Sequence, residues 1–182
     1  DIVRLRVRAD RAEIVIYQWV SFLRDGVPLA MSKRAGTFVS LDELIDEVGT
    51  DAARFHLLMF SNDVTMKFDI EAVKRQTMEN PVYYVQYGHA RIASILRKAA
   101  ERGVEIRPIE EADLSRLEDE AELDVLRALA DVPSQIASAA EIRGPHRLTH
   151  AAQELAARFH RFYTECPVLS DDAELTQARL WL

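Results

Sequence analysis

The sequence is poor in the residues that stabilise small secreted folds. Cys166 is the only cysteine among 182 residues, so no disulfide can form within the chain. A lone thiol agrees with a reducing compartment, and we expect a cytoplasmic protein. Internal repeats and low-complexity segments are also missing. With 48% hydrophobic and 29% charged residues, the composition is that of a globular chain and excludes a disordered one.

Long apolar runs are absent as well. No segment approaches the roughly 20 apolar residues that a membrane-spanning helix needs, so we expect no membrane partner. A chain of 182 residues can bury one sizeable core or two small ones. It starts at Asp1, with neither an initiator methionine nor a signal peptide, and we expect a piece of a longer protein.

Positive charge is scarce, since 23 Lys and Arg face 30 Asp and Glu for a formal net charge of -7. A protein with a generally basic surface is excluded, and any nucleic-acid binding must come from a local patch. Residues 108–124 are rich in carboxylates, with Arg116 as their only cation, and we interpret them as a solvated loop and helix start. Several cations lie just upstream: Arg91, Arg97, Lys98, Arg102 and Arg107.

The amino-terminal part has the patterns of strands. Residues 3–8 alternate apolar and basic side chains, which predicts a half-buried edge strand. Residues 13–23 are dense in β-branched and aromatic side chains and predict a second strand. Asp25 and Gly26 predict a hairpin turn, from which residues 27–30 lead into a basic loop.

That loop combines a hydroxyl, two adjacent cations and a glycine in residues 31–36, Met-Ser-Lys-Arg-Ala-Gly. Preorganised cations on such a loop can stabilise the charge of a transferring phosphoryl group or a departing pyrophosphate. An isolated Ser-Lys-Arg is more often only a solvated turn.

Three short helices are predicted next. Ser40 and Glu43 form a capping box that starts the first helix, and Gly49 ends it. Thr50 is predicted to cap a second helix over residues 51–60, and Asp69 a third that reaches toward residue 78. The expected core face of the second helix consists of Ala52, Phe55, Leu58 and Met59.

Three longer helices are predicted to follow. Asn80 at the cap and Pro81 at the first position start a helix that runs to Gly103. A second covers residues 118–142, kinked or split at Pro133, and a third starts at Pro145. In the first of these helices the expected core stripe is Val85, Gly88, Ile92, Ile95 and Ala99. In the second it is Leu123, Leu126, Leu129, Ile136 and Ala140. In the third it is Leu148, Ala152, Leu155, Phe159 and Phe162.

Two polar sets lie off these stripes. Tyr84, Tyr87 and Arg91 are three and four residues apart and therefore share one helix face. His146 and His150 are one turn apart, but no cysteine is near, and we interpret them as a solvated or locally bonded pair. We expect no metal site in the chain.

Two stretches resemble class I aminoacyl-tRNA synthetases, and arginyl-tRNA synthetase most of all. Residues 31–41 with 48–55 resemble the family's lysine-loop signature, although Ala30 and Arg34 replace its first lysine and last serine. Residues 80–91 match the family's Asn-Pro-x-Tyr-Tyr-x-Gln-Tyr-x-His-Ala-Arg, where its anticodon-binding bundle begins. Tyr163, within residues 159–166, matches a later aromatic position.

The resemblance implies a mainly α fold. Residues 80–182 would form an anticodon-binding α-helical bundle, truncated at its end. Residues 1–39 would be a short β-containing edge of a class I, Rossmann-type catalytic domain that carries the loop 30–36. Residues 40–79 would be a helical connector that contacts the tRNA stem.

The resemblance also implies that the parent protein activates arginine with ATP and Mg²⁺ and transfers it to tRNA(Arg), not to DNA. Met31, Ser32 and Lys33 would contact ATP and its pyrophosphate, with Arg34 as a further catalytic cation. The family's His-x-Gly-His half is not in this sequence, so the chain alone is expected to be inactive and to bind no ATP stably. The expected tRNA-binding residues are Asn80, Tyr84, Gln86, Tyr87, Arg91 and Tyr163.

Three other interpretations remain at this point. A cysteinyl- or methionyl-type synthetase fragment would have the same kind of helical bundle. A tRNA-binding module without catalysis would have the same RNA-binding residues. An acidic helical protein-interaction domain would have the same composition.

Overall fold

The computed structural model describes residues 15–31 and 39–182, which fold into a mainly α-helical structure with one small sheet. The predicted fold class is therefore confirmed. The strand predicted at residues 3–8 lies outside the described residues. The elements are β1 (Val20–Arg24), β2 (Val27–Pro28), α1 (Leu41–Val48), α2 (Thr50–Leu57), β3 (Met66–Asp69), α3 (Ile70–Lys74), α4 (Pro81–Glu101), α5 (Glu120–Glu141), α6 (His146–Glu165) and α7 (Ala173–Trp181).

The sheet has the order β2-β1-β3. The predicted hairpin is confirmed, because Asp25 and Gly26 turn the chain with positive φ angles of 51° and 77°. The strand predicted at residues 13–23 is shorter in the structure and starts only at Val20. Its parallel partner β3 was not predicted, because four residues that follow a helix pair leave little periodicity to detect.

A first core joins the sheet to the short helices. Leu44, Phe68 and Ile70 are buried in it, with Phe22 of β1 and Leu29 packed against them. Residues 20–30 thus share one hydrophobic core with residues 40–79. The capping box of α1 is confirmed: Glu43 N donates to Ser40 Oγ at 3.2 Å, and Ser40 N donates to Glu43 Oε2 at 2.8 Å.

The predictions for α2 and α3 are partly wrong. Gly49 occupies the N-cap of α2, so Thr50 is its first helical residue, and Ala53 is the buried residue while Leu58 is 40% exposed. Asp69 caps α3 as expected, but the helix ends at Lys74. The Val73 and Arg75 carbonyls at this helix end accept hydrogen bonds from the Asn80 side chain.

The hairpin is attached to both α1 and α3. Arg24 Nη1 donates to Glu47 Oε1 at 2.7 Å and to Glu71 Oε1 at 2.5 Å. The hydrogen bonds from Arg24 are the main reason why the pKa of Glu47 falls to about 2, with Lys74 adding to the effect. Asp69 Oδ2 also accepts from Gly26 N at 2.6 Å. These contacts fix the strand that leads into the basic loop.

The second core lies between α4, α5 and α6 and includes Ala121, Val125, Phe162 and Val168. Helix α5 continues through Pro133 to Glu141, so the helix is not split. The predicted core stripe of α5 is wrong: Leu126, Leu129 and Ile136 are 38–51% exposed. The buried face carries Ala121, Val125, Ala128 and Ala139, whose mostly small side chains let α6 pack against α5.

One member of the acidic segment is not solvated. Glu122 is 1% exposed, and its Oε1 accepts from Arg179 Nε at 2.5 Å while its Oε2 accepts from Asp119 N at 2.9 Å. Arg179 lies on α7, a helix that was not predicted. Burial also raises the pKa of the adjacent Cys166 thiol to about 11, which keeps it protonated and unreactive.

We predict that Arg179→Met lowers the free energy of unfolding by about 3–5 kcal/mol, because a buried carboxylate loses its charge partner. Urea denaturation at neutral pH measures this loss. Arg161→Met is the matched control, since Arg161 pairs with Asp124 and Glu165 at the surface. The control should lose less than about 1 kcal/mol. Equal losses for the two variants would show that the buried Arg179–Glu122 pair contributes no more to stability than a surface ion pair.

Candidate nucleic-acid interface

Four planar side chains form one continuous stack on the surface of the bundle, which we call the planar stack. Tyr83, Tyr87 and Arg91 follow one another at intervals of four residues along α4, and Tyr163 projects from α6. The Tyr83 and Tyr87 rings are nearly parallel, 11° apart with centroids separated by 5.8 Å. The Arg91 guanidinium carbon lies 4.5 Å from the centroids of both Tyr87 and Tyr163.

His160 of α6 holds this stack against α4. Its side chain is 8% exposed, and its ring meets Tyr84 edge-on with centroids 4.5 Å apart. Nδ1 lies 3.0 Å from Arg91 Nη1, and Nε2 lies 3.1 Å from the Tyr84 carbonyl oxygen. Since Arg91 can only donate and the carbonyl can only accept, these partners select the neutral ring with its proton on Nε2.

The structure brings four of the expected tRNA-binding residues together around His160, namely Tyr84, Tyr87, Arg91 and Tyr163. Sequence reasoning missed His160 itself. The only signal for it was its place three residues before Tyr163, and that spacing says nothing about a contact with α4.

The other two expected residues contact the short helices, Asn80 the end of α3 and Gln86 the start of α2. Asn80 is 7% exposed and uses its side chain within the protein, where Nδ2 donates to the carbonyls of Val73 and Arg75 and Oδ1 accepts from Val82 N. Gln86 is exposed, and its Nε2 lies 3.5 Å from Asp51 Oδ2. Asn80 therefore orients the start of α4, whereas Gln86 faces solvent.

The stack changes what each group can offer to a ligand. The Arg91 guanidinium packs on two tyrosine rings, which leaves its N–H edge for a ligand. Within the described residues, Nη2 and Nε of Arg91 have no hydrogen-bond partner. Such a fixed edge with unused donors suits a phosphate oxygen better than a stacked base.

A basic groove of about 260 Å³ continues from Tyr163 along α4. Ser94, Lys98 and Arg102 line it on one side and Pro167 on the other. The side chains of Lys98 and Arg102 form no ion pair within the described part of the chain. This local positive charge is the kind of patch that an otherwise acidic protein needs in order to bind RNA.

The basic loop of residues 31–36 is described only at its edge. Ser32, Lys33 and Arg34 lie outside the described residues, and Met31 is 44% exposed just after the return strand of the hairpin. His146 and His150 have ring centroids 6.1 Å apart. Among residues 15–31 and 39–182, no cluster of three or more His, Cys, Asp or Glu is arranged to hold a metal ion. None of the described helices is long and apolar enough to cross a membrane.

Comparison with known proteins identifies the bundle. A family model described as the DALR anticodon binding domain matches residues 85–182, which include the planar stack from Tyr87 onward and all of α5, α6 and α7. The chain belongs to this family. The match confirms the resemblance noted in the sequence, and the matched residues begin within the predicted helix of residues 80–103.

Two similar proteins are both named arginine–tRNA ligase. The chain is 50% identical over 172 residues to an arginine–tRNA ligase of Moorella thermoacetica and 48% identical over 174 residues to one of Staphylococcus epidermidis. These alignments cover 94% and 96% of this chain but only 31% of each relative. An arginyl-tRNA synthetase structure from Thermus thermophilus superposes with a TM-score of 0.71 at 26% identity, covering 90% of this chain and 30% of that one.

We predict that His160→Phe keeps the ring contacts but lowers the free energy of unfolding by about 1–3 kcal/mol, because it removes two hydrogen bonds, one of them to a charged group. Thermal or urea denaturation measures the loss. His150→Phe on the same helix is the control, since His150 is exposed, and it should stay within about 0.5 kcal/mol of the parent. If the two variants are equally stable, His160 does not hold α4 to α6.

Proposed function

We propose that this chain supplies the anticodon-binding surface and the lysine loop of an arginine–tRNA ligase. The protein would activate arginine with ATP and transfer it to tRNA(Arg), a reaction of cytoplasmic translation. The DALR match over residues 85–182, with the planar stack on its first helix, is the observation that carries the proposal. The names of the relatives support arginine over cysteine or methionine as the amino acid.

The surface has the two components that recognition of a single-stranded RNA loop requires. Unpaired bases stack on aromatic planes, and the open planes here are at the ends of the stack. Phosphates pair with cations, and here the Arg91 edge continues into the groove of Lys98 and Arg102. In this arrangement Tyr163 stacks a base, Arg91 contacts the backbone, and Tyr84 with Asn80 orients the helix that carries them.

The proposed division of the chain follows its cores. Residues 80–182 form the anticodon-binding bundle around the second core. Residues 40–79 form the connector around the first core, to which the β1–β2 hairpin is attached through Arg24 and Asp69. Residues 1–39 would be the edge of the catalytic domain, and the hairpin would lead into its lysine loop.

The lysine loop would act on ATP. The Ser32 hydroxyl and the Lys33 ammonium are groups that fit phosphate oxygens, and Arg34 offers a second cation where Ala30 offers none. ATP, with Mg²⁺, would supply the adenylyl group that activates the arginine carboxylate, with pyrophosphate as the leaving group. Lys33 would stabilise the negative charge that gathers on the departing pyrophosphate, and Met31 would set the start of the loop.

The proposal predicts that the purified chain binds tRNA(Arg) more tightly than the same transcript with an exchanged anticodon. Gel shift at several salt concentrations measures both. Arg91→Ala should weaken binding to the two transcripts alike and reduce the salt slope by about 0.7, the value for one contact with a single-stranded phosphate.

Arg158→Ala is the matched control for Arg91→Ala. Arg158 is an exposed arginine on α6 whose only described ion pair is a 3.8 Å contact with Glu154. Its loss should leave affinity and salt slope close to those of the parent chain. Equal affinity of the parent chain for both transcripts would contradict anticodon recognition, and a chain that binds no RNA would favour a protein-interaction domain.

A further prediction concerns Lys33 in the full-length ligase. Lys33→Ala should lower kcat for arginine activation by about 10² or more, with little change in ATP binding, because the interaction forms mainly in the transition state. ATP–pyrophosphate exchange measures the effect. Arg34→Ala in the same assay shows whether the neighbouring cation shares the role. Unchanged turnover for Lys33→Ala would contradict a catalytic role for Lys33.

A further inference from the structure

The planar stack has two ends, and one of them has no assigned role. Tyr87 is flanked by Tyr83 one turn before it on α4 and by Arg91 one turn after it, so its two sides are both covered. Tyr163 forms the end beside the basic groove. Tyr83 forms the other end, and only its side toward Tyr87 is taken up by the stack.

The Tyr83 end opens into a cleft between the connector and the bundle. This cleft has a volume of about 360 Å³, large enough for a nucleobase and its sugar. Tyr83 and Gln86 line it from α4, Thr50 and Asp51 from the start of α2, and Arg75 from the end of α3.

The cleft offers polar groups at the edge of the exposed ring. The Gln86 amide and the Asp51 carboxylate are 3.5 Å apart, so together they present a donor and several acceptors to a ligand beside Tyr83. Among residues 15–31 and 39–182, the Arg75 guanidinium pairs only with Asp25, at 3.7 Å, and both side chains are at least 60% exposed. Its guanidinium is therefore available to a phosphate at the mouth of the cleft.

We propose that this cleft binds one unpaired RNA nucleobase, which stacks on Tyr83 and extends the planar stack by one member. Its edge hydrogen-bonds to Gln86 and Asp51, and its phosphate lies toward Arg75. An RNA strand would then run along α4 from the basic groove, past the Arg91 edge, into the cleft. This site rests on the proposed RNA-binding function and adds a second base position to it.

The test compares Tyr83→Leu with Tyr83→Phe in the whole chain, with the anticodon arm of tRNA(Arg) as the probe. Leucine removes the aromatic plane, and phenylalanine keeps it. We expect Tyr83→Leu to weaken binding about 5- to 150-fold, the range for one base stack, and Tyr83→Phe to bind like the parent. Tyr17→Leu is the matched control, because Tyr17 is 75% exposed and lies outside the cleft.

A spectroscopic measurement separates stacking from a structural effect. One loop base at a time is replaced by 2-aminopurine, and the emission change on binding at one position should be present with the parent chain and Tyr83→Phe and absent with Tyr83→Leu. If Tyr83→Leu melts at a lower temperature than the parent chain, Gln86→Ala tests the cleft instead. The exposed Gln86 side chain lines the cleft, and its loss should weaken RNA binding several-fold.

The outcomes also distinguish the cleft from the proposed function. If Arg91→Ala weakens binding while Tyr83→Leu and Gln86→Ala bind like the parent, the cleft does not hold a base and the anticodon surface stands. If the parent chain does not bind the anticodon arm at all, both proposals fail.

Discussion

The contact between Arg91 and His160 is the constraint on which the RNA-facing surface depends. A buried neutral imidazole accepts from the guanidinium with one nitrogen and donates to the Tyr84 carbonyl with the other, and it thereby ties α6 to α4. With Arg91 fixed in this way, its guanidinium packs on the Tyr87 and Tyr163 rings and offers its remaining N–H groups as preorganised donors. The same ordering limits the open aromatic planes to the two ends of the stack.

A second set of contacts connects the basic loop with that surface. Arg24 and Gly26 bind the hairpin to Glu47, Glu71 and Asp69 of the connector. Asn80 then binds the end of α3 through the Val73 and Arg75 carbonyls and starts α4. Each contact is short and is made by a backbone group or a charged side chain. The strand before Met31 and the helix that carries Tyr83, Tyr87 and Arg91 are therefore held in one frame.

Electrostatics explains how an acidic chain offers a basic groove. Three arginines pair with carboxylates of the acidic segment or of the start of α7: Arg179 with Glu122, Arg116 with Asp172, and Arg107 with Glu174. Lys98 and Arg102 have no ion pair within the described residues, so their charge stays available beside Tyr163.

The sequence by itself determined the features whose cause is local. The Ser40 and Asp69 caps, the Asp25-Gly26 turn, the Asn80-Pro81 start of α4 and the shared face of Tyr84, Tyr87 and Arg91 all depend on neighbours within four residues, and each was predicted. Tertiary structure decided the rest. Two stripes of α5 have nearly the same helical period, and only the approach of α6 buries Val125 and leaves Leu126 exposed. The burial of Glu122 needs Arg179 from 57 residues away, and the contacts of Arg91 need Tyr163 and His160 from another helix, so no local pattern could predict them.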